Sequence, residues 1–171
     1  MNAPAGPQVF IGLGANLGDA AQTLREALQA LRAQPGIVLV AVSPLYRSAP
    51  VDAAGPDFFN AVAELRTGLS PEALLQVLQA VERQHGRERP YRNAPRTLDL
   101  DLLLHGDERR DTPVLTLPHP RMHLRAFVLR PLADLAPGLC LPGHGAIEDA
   151  LARCAGQAIE RLPGDDWSST P

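Results

Sequence analysis

The chain has 171 residues, 45% hydrophobic and 20% charged, with a mean hydropathy of −0.08. These are values of a globular chain long enough to bury a real core, and no apolar run approaches the ~18 residues of a membrane-spanning helix. The net charge of −3 gives no global positive field to recruit nucleic acid, and all sixteen basic residues are arginine. With no lysine, arginine use follows a coding bias, so the clustering of arginines carries more information than their number. The first seven residues have neither a basic nor an apolar region of a signal peptide and are expected to be a loose lead-in. Cys140 and Cys154 form no C-x-x-C motif, so a reducing cytoplasm is expected.

Gln8 to Leu13 reads as a first strand ending in the glycine-rich stretch Gly12-Leu13-Gly14-Ala15-Asn16-Leu17-Gly18. Asp19 is placed to cap a helix from about Ala20 to Ala33, with Leu24, Leu28 and Leu31 at helical spacing and Gln34-Pro35-Gly36 as its stop. Ile37 to Tyr46 reads as a second strand and Arg47 to Pro56 as a loop. Phe58 to Leu65 alternates as a third strand. Pro71 opens a second helix that runs to His85, with Leu74, Leu75, Leu78 and Val81 on one side. Arg87 to Pro95 is a second irregular loop, and residues 98–104 form a strand closed by His105-Gly106-Asp107. A short strand is expected around Val114–Leu117, then a turn at Pro118-His119-Pro120. A helix over Leu124–Leu135 interrupted by Pro131, a small helix over Gly145–Cys154 and a loose tail from Pro163 complete the chain. The order predicts one domain over 1–171, an α+β ferredoxin-like βαββαβ sandwich with an extended, mostly antiparallel sheet and helices packed against it.

The most informative stretch is Arg96-Thr97-Leu98-Asp99-Leu100-Asp101-Leu102. At the strand period of two, Asp99 and Asp101 share one face and Leu98, Leu100 and Leu102 the other. The two α-carbons lie about 7 Å apart, and two carboxylates side by side repel unless positive charge sits between them. A pair of Mg²⁺ ions fits, whereas unclustered cysteines argue against Zn²⁺. The competing reading is the wet face of an amphipathic strand. Arg83, Arg87, Arg89, Arg92 and Arg96 precede the pair within fourteen residues. Alone they read as a solvated loop, but beside a carboxylate strand they are suited to a triphosphate. The glycine-rich stretch matches no phosphate-binding fingerprint and reads better as a tight strand-to-helix turn. Of Phe58 and Phe59, one is expected in the core and the other against a flat ligand. Asn60, two residues from Phe58, offers a paired donor and acceptor on the same face.

Several strings together resemble the 6-hydroxymethyl-7,8-dihydropterin pyrophosphokinase family. They are Ile11-Gly12-Leu13-Gly14-Ala15-Asn16-Leu17-Gly18, Tyr46-Arg47-Ser48-Ala49-Pro50, Asp57-Phe58-Phe59-Asn60-Ala61, Pro95-Arg96-Thr97-Leu98-Asp99-Leu100-Asp101 and Pro118-His119-Pro120-Arg121-Met122. The resemblance implies transfer of pyrophosphate from ATP to the hydroxymethyl group of the pterin, with release of AMP. It places two Mg²⁺ ions on Asp99 and Asp101, and the triphosphate against Arg89 and Arg96 with Arg87 in support. Gln79, Glu82, Leu102, Thr116 and His119 match positions around the nucleotide, and Arg125 falls beside the phosphates. Ser48, Val51, Phe58, Asn60 and Phe127 match the pterin pocket, with the two phenylalanines as stacking partners. The loops 47–56 and 86–95 match segments that close over substrates. The chain departs from some members at Asn93, Val114 and Pro120, where those carry tryptophan, arginine and an aromatic residue. A cytoplasmic monomer is expected, with no nucleic-acid or membrane partner. The rival reading is a non-catalytic ligand-binding module of the same βαββαβ order.

Overall fold

A computed structural model describes residues 6–50, 55–85, 98–164 and 167–168. Strand β1 is Gln8–Ala15 and is followed by helix α1, Ala20–Arg32. Asp19 caps α1 by accepting from the Gln22 N–H, and Leu24, Leu28 and Leu31 on its inner face are fully buried. Burial of a leucine side chain contributes about 1.5–3 kcal/mol, so this face suffices to dock the helix. Strands β2 (Ile37–Val42), β3 (Tyr46–Ser48) and β4 (Phe58–Thr67) come next. Helix α2, Pro71–Gln84, is capped by Ser70 and leads over to β5, Asp99–His105. The antiparallel sheet runs β3-β4-β1-β5, with β2 on the same edge of β4 as β3. This is the expected ferredoxin-like order.

Beyond β5, a hairpin of β6 (Arg110–Asp111) and β7 (Thr116–Leu117) is tied to α2 by Arg110, whose Nε lies 2.7 Å from Glu72 Oε2. A 3-10 turn, Met122–Leu124, leads into α3, Ala126–Leu135, which includes Pro131 as expected. The strands β8 (Cys140–Leu141) and β9 (Gly145–Ala146) form a second hairpin before α4, Ile147–Arg153. Strand β10, Ile159–Arg161, pairs with β3 and extends the sheet.

The sheet is covered on both faces. Val9, Ile11, Leu13 and Ala15 join α1, α2 and Leu98, Leu100 and Leu102 in one core, as the strand alternation requires. Phe10, Val62 and Leu103 join α3 and α4 in the other. The Tyr46 hydroxyl donates to the Asp134 carboxylate and pins α3 to β3; burial, then Asp134, pushes the phenol up to about 12.

Four expectations are corrected. The stretch 37–46 is two strands, because Pro44 has no N–H for a ladder and Ser43 takes over the pairing. Its N–H donates to Val62 O at 2.9 Å, while its hydroxyl accepts from Val62 N at 2.9 Å. Arg47 and Ser48, expected in a loop, therefore lie in β3. The last helix starts at Ile147, since Gly145 and Ala146 pair with β8. The segment expected to be a loose tail is anchored at Trp167, which is buried and donates its indole N–H to Ser43 O at 2.8 Å. Trp167 O in turn accepts from Arg25 Nε.

Ser43→Ala leaves the buried Val62 N–H without its hydroxyl acceptor. The expected loss is about 1–3 kcal/mol of unfolding free energy, read as a lower midpoint in chemical denaturation.

Candidate active site

The second face of the sheet is core at one end and cavity at the other. The reason lies in β1. Gly12 and Gly14 alternate with Phe10 on this face and place no side chain on it. Neither has a positive φ; only Gly18 of the glycine-rich stretch does, at 59°. The expected tight turn is thus confined to Gly18, and the two earlier glycines are strand residues that clear a floor. A Cβ on Gly14 would lie 3.4 Å from Asn60 Oδ1, and one on Gly12 would lie 3.8 Å from Asp101 Cβ.

The cavity over this floor measures about 630 Å³. Its walls include Ser48, Phe58 and Asn60 from β3 and β4, Asp99 and Asp101 from β5, and Arg125 and Phe127 at the start of α3. Six residues expected around the pterin and the metal are thereby brought together, with Arg125 beside them. Asn60, Gly14 and Asp99 form one row across β4, β1 and β5. At about 4.8 Å per strand, the amide and the carboxylate are roughly 10 Å apart along that row. Asn60 is buried and donates its Nδ2 to Ser48 Oγ at 2.8 Å, which orients the amide. Phe59, on the other side of β4, packs against the first core, so Phe58 is the aromatic facing the cavity. The Arg125 guanidinium lies 5.5 Å from the centre of the Phe127 ring.

A second cavity of about 240 Å³ lies across β5, between it and the β6–β7 hairpin. Leu102, Thr116 and His119 line it, with Val114 and Pro120 at two of the positions that depart from some family members. Val114 is 74% exposed. Asp101 lines both cavities.

The carboxylate strand is held along its outer edge. Glu82, only 3% exposed, accepts the Leu100 N–H at 2.9 Å, midway between Asp99 and Asp101. Further along, the His119 N–H donates to Leu103 O at 3.0 Å. An edge strand has unpaired main-chain groups, and here Glu82 and His119 satisfy two of them. Gln79 and Glu82, expected near the nucleotide, are absent from both cavity walls among the described residues; Glu82 lies beneath β5 instead. Val51, Arg87, Arg89, Arg96 and Asn93 lie outside the described residues.

Among the described residues no group of three or more His, Cys, Asp or Glu side chains converges as a metal cage. Asp99 and Asp101 supply hard carboxylate oxygens over an open floor. That donor set fits Mg²⁺, which takes one or two carboxylates and completes its shell with water and phosphate oxygens. Arg121, Leu124, Val128 and Gln157 also line the larger cavity and escaped the sequence reading. Gln157 has no legible signal, since its side-chain partners are more than thirty residues away.

A family model described as 7,8-dihydro-6-hydroxymethylpterin-pyrophosphokinase matches residues 10–137. The chain belongs to this family. A pyrophosphokinase relative from Pseudomonas aeruginosa, named for 2-amino-4-hydroxy-6-hydroxymethyldihydropteridine, is 50% identical over 158 residues, covering 92% of this chain and 98% of that protein. The one from Haemophilus influenzae is 40% identical over 154 residues, covering 90% and 96%. Among solved structures, an HPPK-DHPS in complex with substrates superposes with a TM-score of 0.69 at 13% identity, over 88% of this chain. The Plasmodium falciparum HPPK-DHPS A437G gives 0.68 at 13% identity over 89%. This chain spans less than half of those longer chains, 43% and 46%. At such identity they share the pyrophosphokinase fold.

His119 is kept neutral. Burial first, then Arg125 and Arg121, push its imidazole down from 6.5 to about 4, against the opposing pull of Asp99. Its Nδ1 accepts from Arg121 N at 3.1 Å. The folded value lies below the unfolded one, so its contribution to stability is complete above pH 6.5 and is lost as pH falls toward 4. His119→Asn retains an acceptor without the titration. Its unfolding midpoint is expected to fall less than the wild type's between pH 6.5 and pH 4 in denaturant titrations.

Proposed function

We propose that this chain transfers the β,γ-pyrophosphoryl group of ATP to the hydroxymethyl oxygen of 6-hydroxymethyl-7,8-dihydropterin, releasing AMP for tetrahydrofolate biosynthesis. The observation that carries this reading is the pair of cavities that meet at Asp101. One has an aromatic and an amide for a flat heterocycle, and the other flanks the same carboxylate strand from the far side. The row from Asn60 to Asp99 spans about two strand spacings, roughly 10 Å. A bicyclic pterin anchored at Asn60 presents a one-carbon arm near the carboxylates over that distance.

In this reading Phe58 and Phe127 stack on the pterin, Asn60 reads its edge, and Ser48 holds the amide, with Val51 a further pterin residue by family resemblance. Leu102, Thr116 and His119 border the nucleotide. Glu82 acts from beneath, fixing the strand. Asp99 and Asp101 would hold two Mg²⁺ ions, which when bound screen the triphosphate and polarise the reacting phosphoryl group. Arg89, Arg96 and Arg125, supported by Arg87, place permanent positive charge against the phosphates. A bond forms between the hydroxymethyl oxygen and the β-phosphorus. The bond to the α,β-bridging oxygen breaks and leaves with AMP, and the hydroxyl proton passes to solvent. The titratable groups in the described wall of the larger cavity are two carboxylates and two arginines, none a strong base. Positioning and preorganised charge therefore supply most of the rate. We read the enzyme as a cytoplasmic monomer: a single chain walls both cavities, and Cys140 and Cys154 are free thiols.

The test is AMP formation from ATP and the reduced pterin. Asp101→Ala is expected to lower turnover by at least roughly a hundredfold while the protein stays folded; normal activity would sink the metal assignment. Release of ADP instead of AMP would point to a different phosphotransfer, and no release to a binding module. Arg96→Ala is expected to reduce kcat far more than it weakens pterin binding. Equal losses would mean ground-state binding alone.

A further inference from the structure

The side-chain amide of Gln157 grips the main chain on both sides of Arg125. Its Nε2 donates to Leu124 O at 2.8 Å, and its Oε1 accepts from Ala126 N at 2.9 Å. Arg125 is the N-cap of α3 and makes no side-chain capping bond. The first helical N–H would otherwise lack an intrahelical acceptor, and Gln157 provides one from 31 positions away. Gln157 itself lines the larger cavity together with Leu124, Arg125 and Phe127.

The residue is anchored where both walls of the cavity can be tied together. Its own N–H donates to Cys154 O at the end of α4. Two residues on, Ile159 pairs with Ser48 in β3, which also lines the cavity. One short segment, 157–159, therefore fixes the Arg125–Phe127 wall through a side chain and the Ser48 wall through a strand.

We propose that Gln157 is a positioning residue that aims Arg125 and Phe127 into the cavity and sets its width against Ser48. A plain helix cap would add stability and leave ligand affinity alone. A positioning amide moves the aromatic and the guanidinium that face the ligand. The inference rests on the pyrophosphokinase reading for the identity of the ligand, though not for the grip itself.

The test compares wild type with Gln157→Leu, which has similar bulk and no hydrogen bonds, and with Gln157→Glu, which keeps the acceptor to Ala126 N and loses the donor to Leu124 O. For Gln157→Leu the KM for 6-hydroxymethyl-7,8-dihydropterin is expected to rise roughly tenfold through Phe127, as for the loss of an interaction worth one decade, with a smaller rise in the KM for ATP through Arg125. Gln157→Glu is expected to fall between the two. Amide hydrogen exchange is followed alongside, and the Ala126 N–H is expected to exchange faster in Gln157→Leu and to keep its protection in Gln157→Glu. A lower melting temperature with both KM values unchanged would overturn the proposal in favour of a simple cap. Unchanged Ala126 exchange in Gln157→Leu would overturn the grip itself. A wild type that releases no AMP counts against the function reading alone, and the exchange pattern then decides the grip.

Discussion

Everything in this molecule hangs on the alternation along its central strand. Val9, Ile11, Leu13 and Ala15 of β1 point into one core, and Phe10, Gly12 and Gly14 point the other way. Had the second series continued as large apolar residues, the far face would be a second full core and nothing would bind there. Two missing side chains convert half of that face into a cavity, while Phe10 keeps the other half packed under α3 and α4. The neighbours across the ladder, Asn60 and Asp99 beside Gly14 and Asp101 beside Gly12, then become walls of a binding space. In a sheet the register dictates which side chains meet, since a slip of one residue would exchange the two faces.

The carboxylate strand carries the opposite problem. Asp99 and Asp101 bring like charge to one face, while the strand's outer edge has main-chain groups with no neighbouring strand among the described residues. Glu82 and His119 satisfy that edge, so the residues that hold the carboxylates in place come from α2 and from the turn after β7. A bulge in β5, with Leu103 as the extra residue opposite the Phe10–Ile11 step of β1, adds a second constraint. It lets both Leu103 and Leu104 enter the second core, which buries the far end of β5 and leaves the carboxylate end open.

Periodic features were legible in the sequence, and long-range ones were not. The Leu–Asp alternation assigned both faces of β5 correctly, because period two is a local property. The spacing of Phe58 and Asn60 put both on one wall for the same reason. The glycines were misread because glycine has two uses, a positive φ and an absent side chain, and only the folded strand separates them. The division of 37–46 was signalled by Pro44, yet its replacement by Ser43 depends on Val62 in another strand. Glu82 is buried under a strand that begins seventeen residues after it, and no pattern in α2 announces this. Strand β10 has three residues, too few for any alternation. The expectation of metal and phosphate chemistry rests on the residues themselves, and that of the pterin on family resemblance.

Trp167 is the single tryptophan of the chain, and it is packed in the core opposite the cavity. Its indole is held on Ser43, at the junction of β2 and β3, with its carbonyl on Arg25 of α1. The intrinsic fluorescence above 290 nm excitation therefore reports one place, the closing of the chain's end over the α1 side of the sheet. A ligand in that cavity would lie across the thickness of the sheet from it, so its own emission could be followed apart from the indole's. Folding and ligand occupancy thus have separate optical channels, built in by where one residue docks.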